Sequence, residues 1–298
     1  MITKQEFIQA VVNAVKMTSG IQAEAGVVNI RLNNGNSSFI QVQCGQNTYV
    51  NVYVDDYYQA FCNGDLLAFM AAAEAVAKAK EDGEMTRKWM DYEQARSRLM
   101  CRLVNTALNK NVLNAIPSIP FHDLSITFSL MADDTGNRIA GVNNSILDHW
   151  GVSIDDLYRD ALVNMQAKLP PARIESIFET IVKKIADEEE RNVIEELEQA
   201  VKDAGAQPLY ILTNRTGVLG TAVILYPGVL ESCAEKMGGD YYLIPSSIHE
   251  FLISPVGMSP EEMCKMIRGI NRTELPPKEV LADHAYLYST AEKRIVMV

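Results

Sequence analysis

Hydrophobic residues are most densely patterned between Gln207 and Pro255, in the run QPLYILTNRTGVLGTAVILYPGVLESCAEKMGGDYYLIPSSIHEFLISP. Leu209 to Thr213 and Thr221 to Tyr226 are short apolar runs rich in strand formers. Asn214-Arg215-Thr216-Gly217 between them reads as a turn, so the pair predicts a β-hairpin. Both alternation faces of each run are apolar, which predicts strands covered on both sides and central in a sheet. Pro227 fits the opening of a helix whose buried stripe is Val229, Leu230, Cys233, Ala234 and Met237, and Gly238-Gly239 fits its end. Tyr241 to Ile244 and Ile248 to Ser254 predict two further strands, joined by Pro245-Ser246-Ser247.

The same reading extends upstream. Thr3 and Glu6 form a capping box for a first helix with Phe7, Ile8, Val11, Val12 and Val15 inside. Val27 to Leu32 and Phe39 to Gln43 flank the turn Asn33-Asn34-Gly35-Asn36, and Tyr49 to Val54 is a third strand. Asp55 starts a helix that breaks at Asn63-Gly64, and Asp65 caps an alanine-rich helix to about Lys80. Glu81 to Arg87 reads as a polar hinge, followed by a helix with Leu99, Leu103, Val104 and Leu108 on one face and Cys101 on its apolar stripe. Leu124 to Met131 and Ile139 to Val142 are strands about the turn Asp133-Asp134-Thr135-Gly136. Ser153 caps a helix to about Lys168.

Pro170-Pro171 then marks the clearest boundary. Residues 171 to 206 predict two helices with an acidic surface, including Glu188, Glu189, Glu190, Glu195 and Glu196. Beyond Pro255, Ser259-Pro260-Glu261-Glu262 starts another helix, and Ala285 to Tyr288 with Arg294 to Met297 make a closing hairpin. The predicted class is α+β: a mixed N-terminal region over 1–170 with β-hairpins and helices, an acidic helical connector over 171–206, and a ββαββαββ unit over 207–298.

Composition narrows the function classes. A hydrophobic fraction of 48% over 298 residues is that of a folded protein with a sizeable core. A net charge of −11 argues against nonspecific nucleic-acid binding. Five scattered cysteines without a CxxC pair fit a reducing compartment, and no stretch approaches a membrane span or a signal peptide, so the cytoplasm is expected.

Motifs that would name a reaction are missing. There is no GxxxxGK[ST] phosphate cradle and no GxSxG elbow. His249-Glu250 is half of a zinc-protease motif, but position 253 is isoleucine, so no metal site is expected. No cofactor is expected either. One constellation carries chemistry: Ser246, Ser247, His249 and Glu250 lie within six residues, and Asp283-His284 precedes the last hairpin. Ser246, Ser247, His249 and Asp283 are the parts of a nucleophilic triad. Glu250 and His284, with Asn214 and Tyr226 at the ends of the first hairpin strands, are candidates for ligand binding. Short polar residues beside a proline are equally what a tight turn requires.

Several stretches carry a resemblance that runs the whole length. LTNRTGVLGTAVILYPGVLESCAEKMGGDYYLIPSSIHE with DHAYLY is joined by LNNG with TYVNVYVDDYYQAFCNGDLLAFM and by DYEQARSRLMCRLVNTALNKNVLNAIPSIPFHDLSITF. In these the chain resembles an uncharacterised bacterial domain-of-unknown-function family, common in anaerobic Gram-positive bacteria and their mobile elements. The resemblance implies no activity. The expected function is that of a binding or adaptor protein without catalysis, acting on a protein or small-molecule partner or on a second copy of itself. The alternative is a hydrolase-like enzyme with a Ser/His site at the PSSIHE turn.

Overall fold

The first helix forms where the capping box places it: the Thr3 N–H donates to the Glu6 carboxylate at 2.7 Å, and the Glu6 N–H donates to Thr3 Oγ1 at 3.2 Å. The structure, a computed structural model, describes residues 2–19, 23–24, 30–44, 49–132 and 139–297. Helix α1 (Lys4–Ser19) is followed by strands β1 (Ala23–Glu24), β2 (Ile30–Leu32), β3 (Gly35–Ser37), β4 (Phe39–Gln43) and β5 (Tyr49–Tyr53), then by α2 (Asp55–Cys62) and α3 (Leu67–Lys88). β2 and β3 pair about a turn at Asn33-Asn34, while β4 sits between β1 and β5. The expected first hairpin therefore closes on β3 rather than on Phe39 to Gln43; its residues 27–29 lie outside the described residues, as does the turn predicted at 133–136. Phe7, Ile8, Val11, Val12 and Val15 pack with Ile40, Val42, Val76 and Ala79 into one core cluster.

The hinge predicted over Glu81 to Arg87 is continuous helix in α3. One glycine costs a helix only about 1 kcal/mol, and this one has a packing reason. A Cβ at Gly83 would lie 2.1 Å from Cys44 Cβ, so the helix can approach the end of β4 only with glycine there.

The middle of the chain runs through α4 (Tyr92–Ala95), a 3-10 turn (Arg96–Arg98), β6 (Leu99–Asn105), α5 (Lys110–Leu113), β7 (Ser118–Phe121), β8 (Leu124–Met131), β9 (Ile139–Gly141), α6 (Asn144–Trp150) and α7 (Ile154–Lys168). The helix expected through Leu99, Leu103 and Val104 is strand β6, which pairs antiparallel along its full length with β8. Leu99 and Leu103 are four apart, a spacing that fits both a helical stripe and one face of a strand. Cys101, between them, completes the strand face, and its N–H donates to the Met165 sulfur of α7.

The C-terminal part is built on a six-stranded antiparallel sheet. Its elements are β10 (Glu175–Ser176), α8 (Ile177–Val182), α9 (Glu188–Asp203), β11 (Tyr210–Leu212), α10 (Val229–Met237), β12 (Tyr241–Pro245), β13 (Phe251–Pro255), α11 (Pro260–Thr273), β14 (Tyr286–Ser289) and β15 (Arg294–Met297). The strand order is β10-β11-β13-β12-β14-β15. β12 is buried at all five positions. Tyr241, Leu243, Phe251 and Ile253 face the main core, and Tyr242 and Ile244 face Met263 and Ile267 of α11. Thr221 to Tyr226 is not the second hairpin strand expected: Gly220–Leu225 is a 3-10 helix. That segment is buried at every position but Leu225, so its run of apolar residues carried no information about faces. The unit is therefore strand, 3-10 helix, helix, strand, strand where ββαββ was expected.

The molecule is of the α+β class. Met165 and Leu169, before Pro170-Pro171, and Leu212 and Val223, after it, belong to one core cluster. No described helix is long and apolar enough to cross a membrane.

Candidate functional site

The PSSIHE turn is held by backbone on both sides. The N–H groups of Ser246 and Ser247 donate to the Glu250 carbonyl at 3.2 and 3.3 Å, and Ser246 Oγ donates to Glu250 Oε1 at 3.3 Å. Buried Ser247 accepts the His249 N–H at 3.0 Å. The facing loop completes the clamp: Thr213 Oγ1 donates to the His249 carbonyl at 2.8 Å and Thr221 Oγ1 to the Ile248 carbonyl at 2.9 Å. His249 precedes β13, which starts at Phe251, whereas the strand was expected from Ile248.

The imidazole itself is committed. His249 Nδ1 accepts the Leu219 N–H at 3.1 Å, so in the neutral ring the proton sits on Nε2. Neither nitrogen is then left with a lone pair to receive a serine proton. Among the described residues no hydrogen bond joins a serine hydroxyl to the ring.

The remaining predicted residues go to different places. Asn214 is buried; its Oδ1 accepts from the Thr216 N–H and hydroxyl, and its Nδ2 donates to the Val218 carbonyl. The buried Tyr226 hydroxyl donates to the Leu169 carbonyl at 3.0 Å, and burial pushes its pKa well up. Asp283 accepts from Asn271 Nδ2 at 2.8 Å. His284 places Nε2 3.6 Å from Asp123 Oδ2.

Asp123 escaped the sequence reading, although Phe121-His122-Asp123 marks a turn between two strands. Tyr286 donates its hydroxyl to Asp123 Oδ1 at 2.7 Å, and the His284 ring lies 5.0 Å from that of Tyr286. Burial raises the Asp123 pKa, but contacts with His284 and Tyr286 outweigh it and hold the carboxyl below its ordinary range. The folded pKa is depressed, so the stabilisation is present above the ordinary aspartate range and is lost as pH falls through the folded value. Asp123→Asn is expected to lower stability by about 1–3 kcal/mol at neutral pH, with the difference from the parent shrinking in acid. Urea denaturation at about pH 7 and about pH 3 reads this directly; a difference that grows in acid would contradict it.

A groove of about 320 Å³ lies where the N-terminal hairpin meets α11. Asn34, at the hairpin tip, has φ 61°, a left-handed conformation that asparagine tolerates. Its N–H donates to Asn109 Oδ1 at 3.0 Å, its Nδ2 to the Pro277 carbonyl at 2.9 Å, and its Oδ1 accepts from Asn109 Nδ2 at 2.9 Å. Asn33 Nδ2 donates to the Lys278 carbonyl beside it. Across the groove stand Arg268, Asn271 and Arg272 of α11. Both arginines are exposed and have no ion pair or hydrogen bond among the described residues. They sit one helical turn apart and present ten N–H donors in two planar forks.

A larger hollow of about 430 Å³ beside α7 differs in this respect. Its arginines, Arg96 and Arg159, are already paired with Asp160 at 3.2 and 3.3 Å. Sequence reading missed the α11 groove because hairpin tip and helix are far apart along the chain. The turn asparagines and the arginine spacing were both visible, but nothing local joined them.

Among the described residues no group of three or more histidine, cysteine or acidic side chains gathers to hold a metal. No curated protein and no solved structure matches the chain. One family, described as a family of unknown function, DUF5688, matches residues 4–290, and the chain belongs to that family.

Proposed function

We propose that this is a binding protein that acts without catalysis, and that the groove between Asn34 and α11 receives the oxyanion group of a small ligand. The observation that carries the reading is the pair Arg268 and Arg272, two unpaired guanidiniums facing one groove in a chain of net charge −11. Planar guanidiniums match phosphate and carboxylate groups; the Asn34 and Asn271 amides already donate to the Pro277 carbonyl and to Asp283, so the two arginines supply the contacts to the ligand. Leu108 supplies an apolar wall for the rest of the ligand.

Two further observations favour binding over nucleophilic chemistry. His249 has its Nδ1 lone pair occupied. Burial pushes the Cys101 thiol up to about 12 and the Cys233 thiol up to about 11, which leaves neither as a thiolate near neutrality. All five cysteines are free thiols, which supports a cytoplasmic setting. The bacterial and mobile-element setting enters on the sequence resemblance alone.

Inorganic phosphate, titrated into the purified protein and followed by amide chemical shifts, tests the reading. Saturable shifts are expected at Asn34 and on α11, with a Kd on the order of 1 mM. Arg268→Ala and Arg272→Ala are each expected to weaken binding about tenfold. Unsaturable shifts, or undiminished affinity in the double variant, would overturn the groove. Labelling of Ser246 or Ser247 by a fluorophosphonate would favour the hydrolase reading instead.

A further inference from the structure

Arg102 lies on the face of the β6–β8 pair opposite Leu99, Cys101 and Leu103. Antiparallel register places Met100 against Ser129, Arg102 against Thr127 and Val104 against Ser125, so these six side chains share that face. Thr127 and Ser129 are fully buried. Among the described residues, two polar atoms of this face have no hydrogen-bond partner: the buried Nε of Arg102 and the buried Oγ of Ser129.

The Arg102 guanidinium has no carboxylate in ion-pair reach among the described residues. The titratable group that acts on it is the phenol of Tyr53, which is neutral near pH 7 and whose pKa is raised further by partial burial. Arginine does not shed its proton in proteins, so the charge stays, and among the described residues it has no partner. The side chain is half-buried, and its Nε–H is the part cut off from water, so leaving that donor without a partner is unfavourable. Beside it is a small, partly enclosed pocket of about 20 Å³, lined by Asn33, Arg102, Val104, Asn109, Val112 and Ile116. That is room for one species of about the size of a water molecule. The Asn109 amide already donates to Asn33, Asn34 and the Asn105 carbonyl.

We propose that this pocket holds a single small monovalent anion, a halide, as the counter-ion of Arg102. The pocket is too small for phosphate or a carboxylate-bearing metabolite, so this site is separate from the α11 groove and does not depend on it. Asn33 and Asn109, which line the pocket, also fix the hairpin tip, so the ion stabilises the docking of the N-terminal hairpin.

The test uses the full chain at constant ionic strength, with chloride replaced stepwise by gluconate. The melting temperature is expected to rise by roughly 2–4 °C over a hundredfold increase in chloride. Arg102→Met is expected to abolish that dependence whatever its own stability, while Arg268→Ala/Arg272→Ala keeps it. Chlorine-35 linewidths, measured at a fixed chloride concentration, should broaden with the parent protein and not with Arg102→Met. A melting temperature indifferent to chloride would mean that water fills the pocket and would overturn the proposal. A chloride dependence equal in Arg102→Met would overturn it too.

Discussion

Leu243→Ala is expected to destabilise the protein by about 2–5 kcal/mol. Leu243 is fully buried in β12, which is hydrogen-bonded on one side to β13, opposite Ile253, and on the other to β14, opposite Tyr286. Its side chain belongs to the main core with Phe251, Ile253 and Tyr286. Truncation removes burial and leaves a cavity that a strand fixed on both edges cannot collapse to fill. Against a typical total of about 5–15 kcal/mol, that loss is visible in a denaturant midpoint. A loss under about 1 kcal/mol would mean that β12 is not a central strand.

Gly220→Val should be at least as damaging, by about 3 kcal/mol or more. A Cβ at Gly220 would lie 2.0 Å from Thr213 Oγ1, 2.6 Å from the His249 carbonyl oxygen and 2.8 Å from the Asn214 nitrogen. Thr213 could rotate away only by giving up its bond to His249, and the other two atoms are backbone. The close approach of the 213–221 loop to the PSSIHE turn thus depends on a residue without a side chain. Gly269→Ala is the contrasting case: it lies in α11 with open space at its Cβ, and alanine there should gain roughly 0.5–1 kcal/mol. Thermal or chemical denaturation of the two variants side by side separates the explanations. A mild Gly220→Val would show that the loop and turn are not tightly apposed.

What could be read from the sequence was what local chemistry decides. The caps at Thr3, Ser153 and Ser259 all form, because each is settled within three residues. β12 and β13 were legible as strands because Pro245-Ser246-Ser247 punctuates two apolar runs. Leu99 to Asn105 failed because a four-residue spacing is even and fits either period. Thr221 to Tyr226 failed because a segment buried at every position but Leu225 shows no periodicity that distinguishes a strand from a 3-10 helix. The candidate residues were legible as polar groups, but their partners were not. Tyr286 meets Asp123 across 163 positions, and Asn34 meets Pro277 across 243. Such pairings are set by tertiary packing, which single-sequence patterns do not encode.

That last separation orders events in time. The hairpin tip at Asn34 is synthesised long before two of its backbone acceptors, Pro277 and Val280, which lie 243 and 246 positions later. While the ribosome works through everything between them, the Asn34 amide must be solvated or bonded elsewhere. The loop finally closed spans most of the chain, although the entropy of closure grows only slowly with its length. Contacts of that separation form late and slow folding. The N-terminal unit can complete its own core, around Phe7 and Val11, long before its hairpin finds a place to dock. The groove lined by Asn34 and α11 consequently forms only after α11 has been made, and a nascent chain that stops short of it carries the hairpin tip without its partner wall.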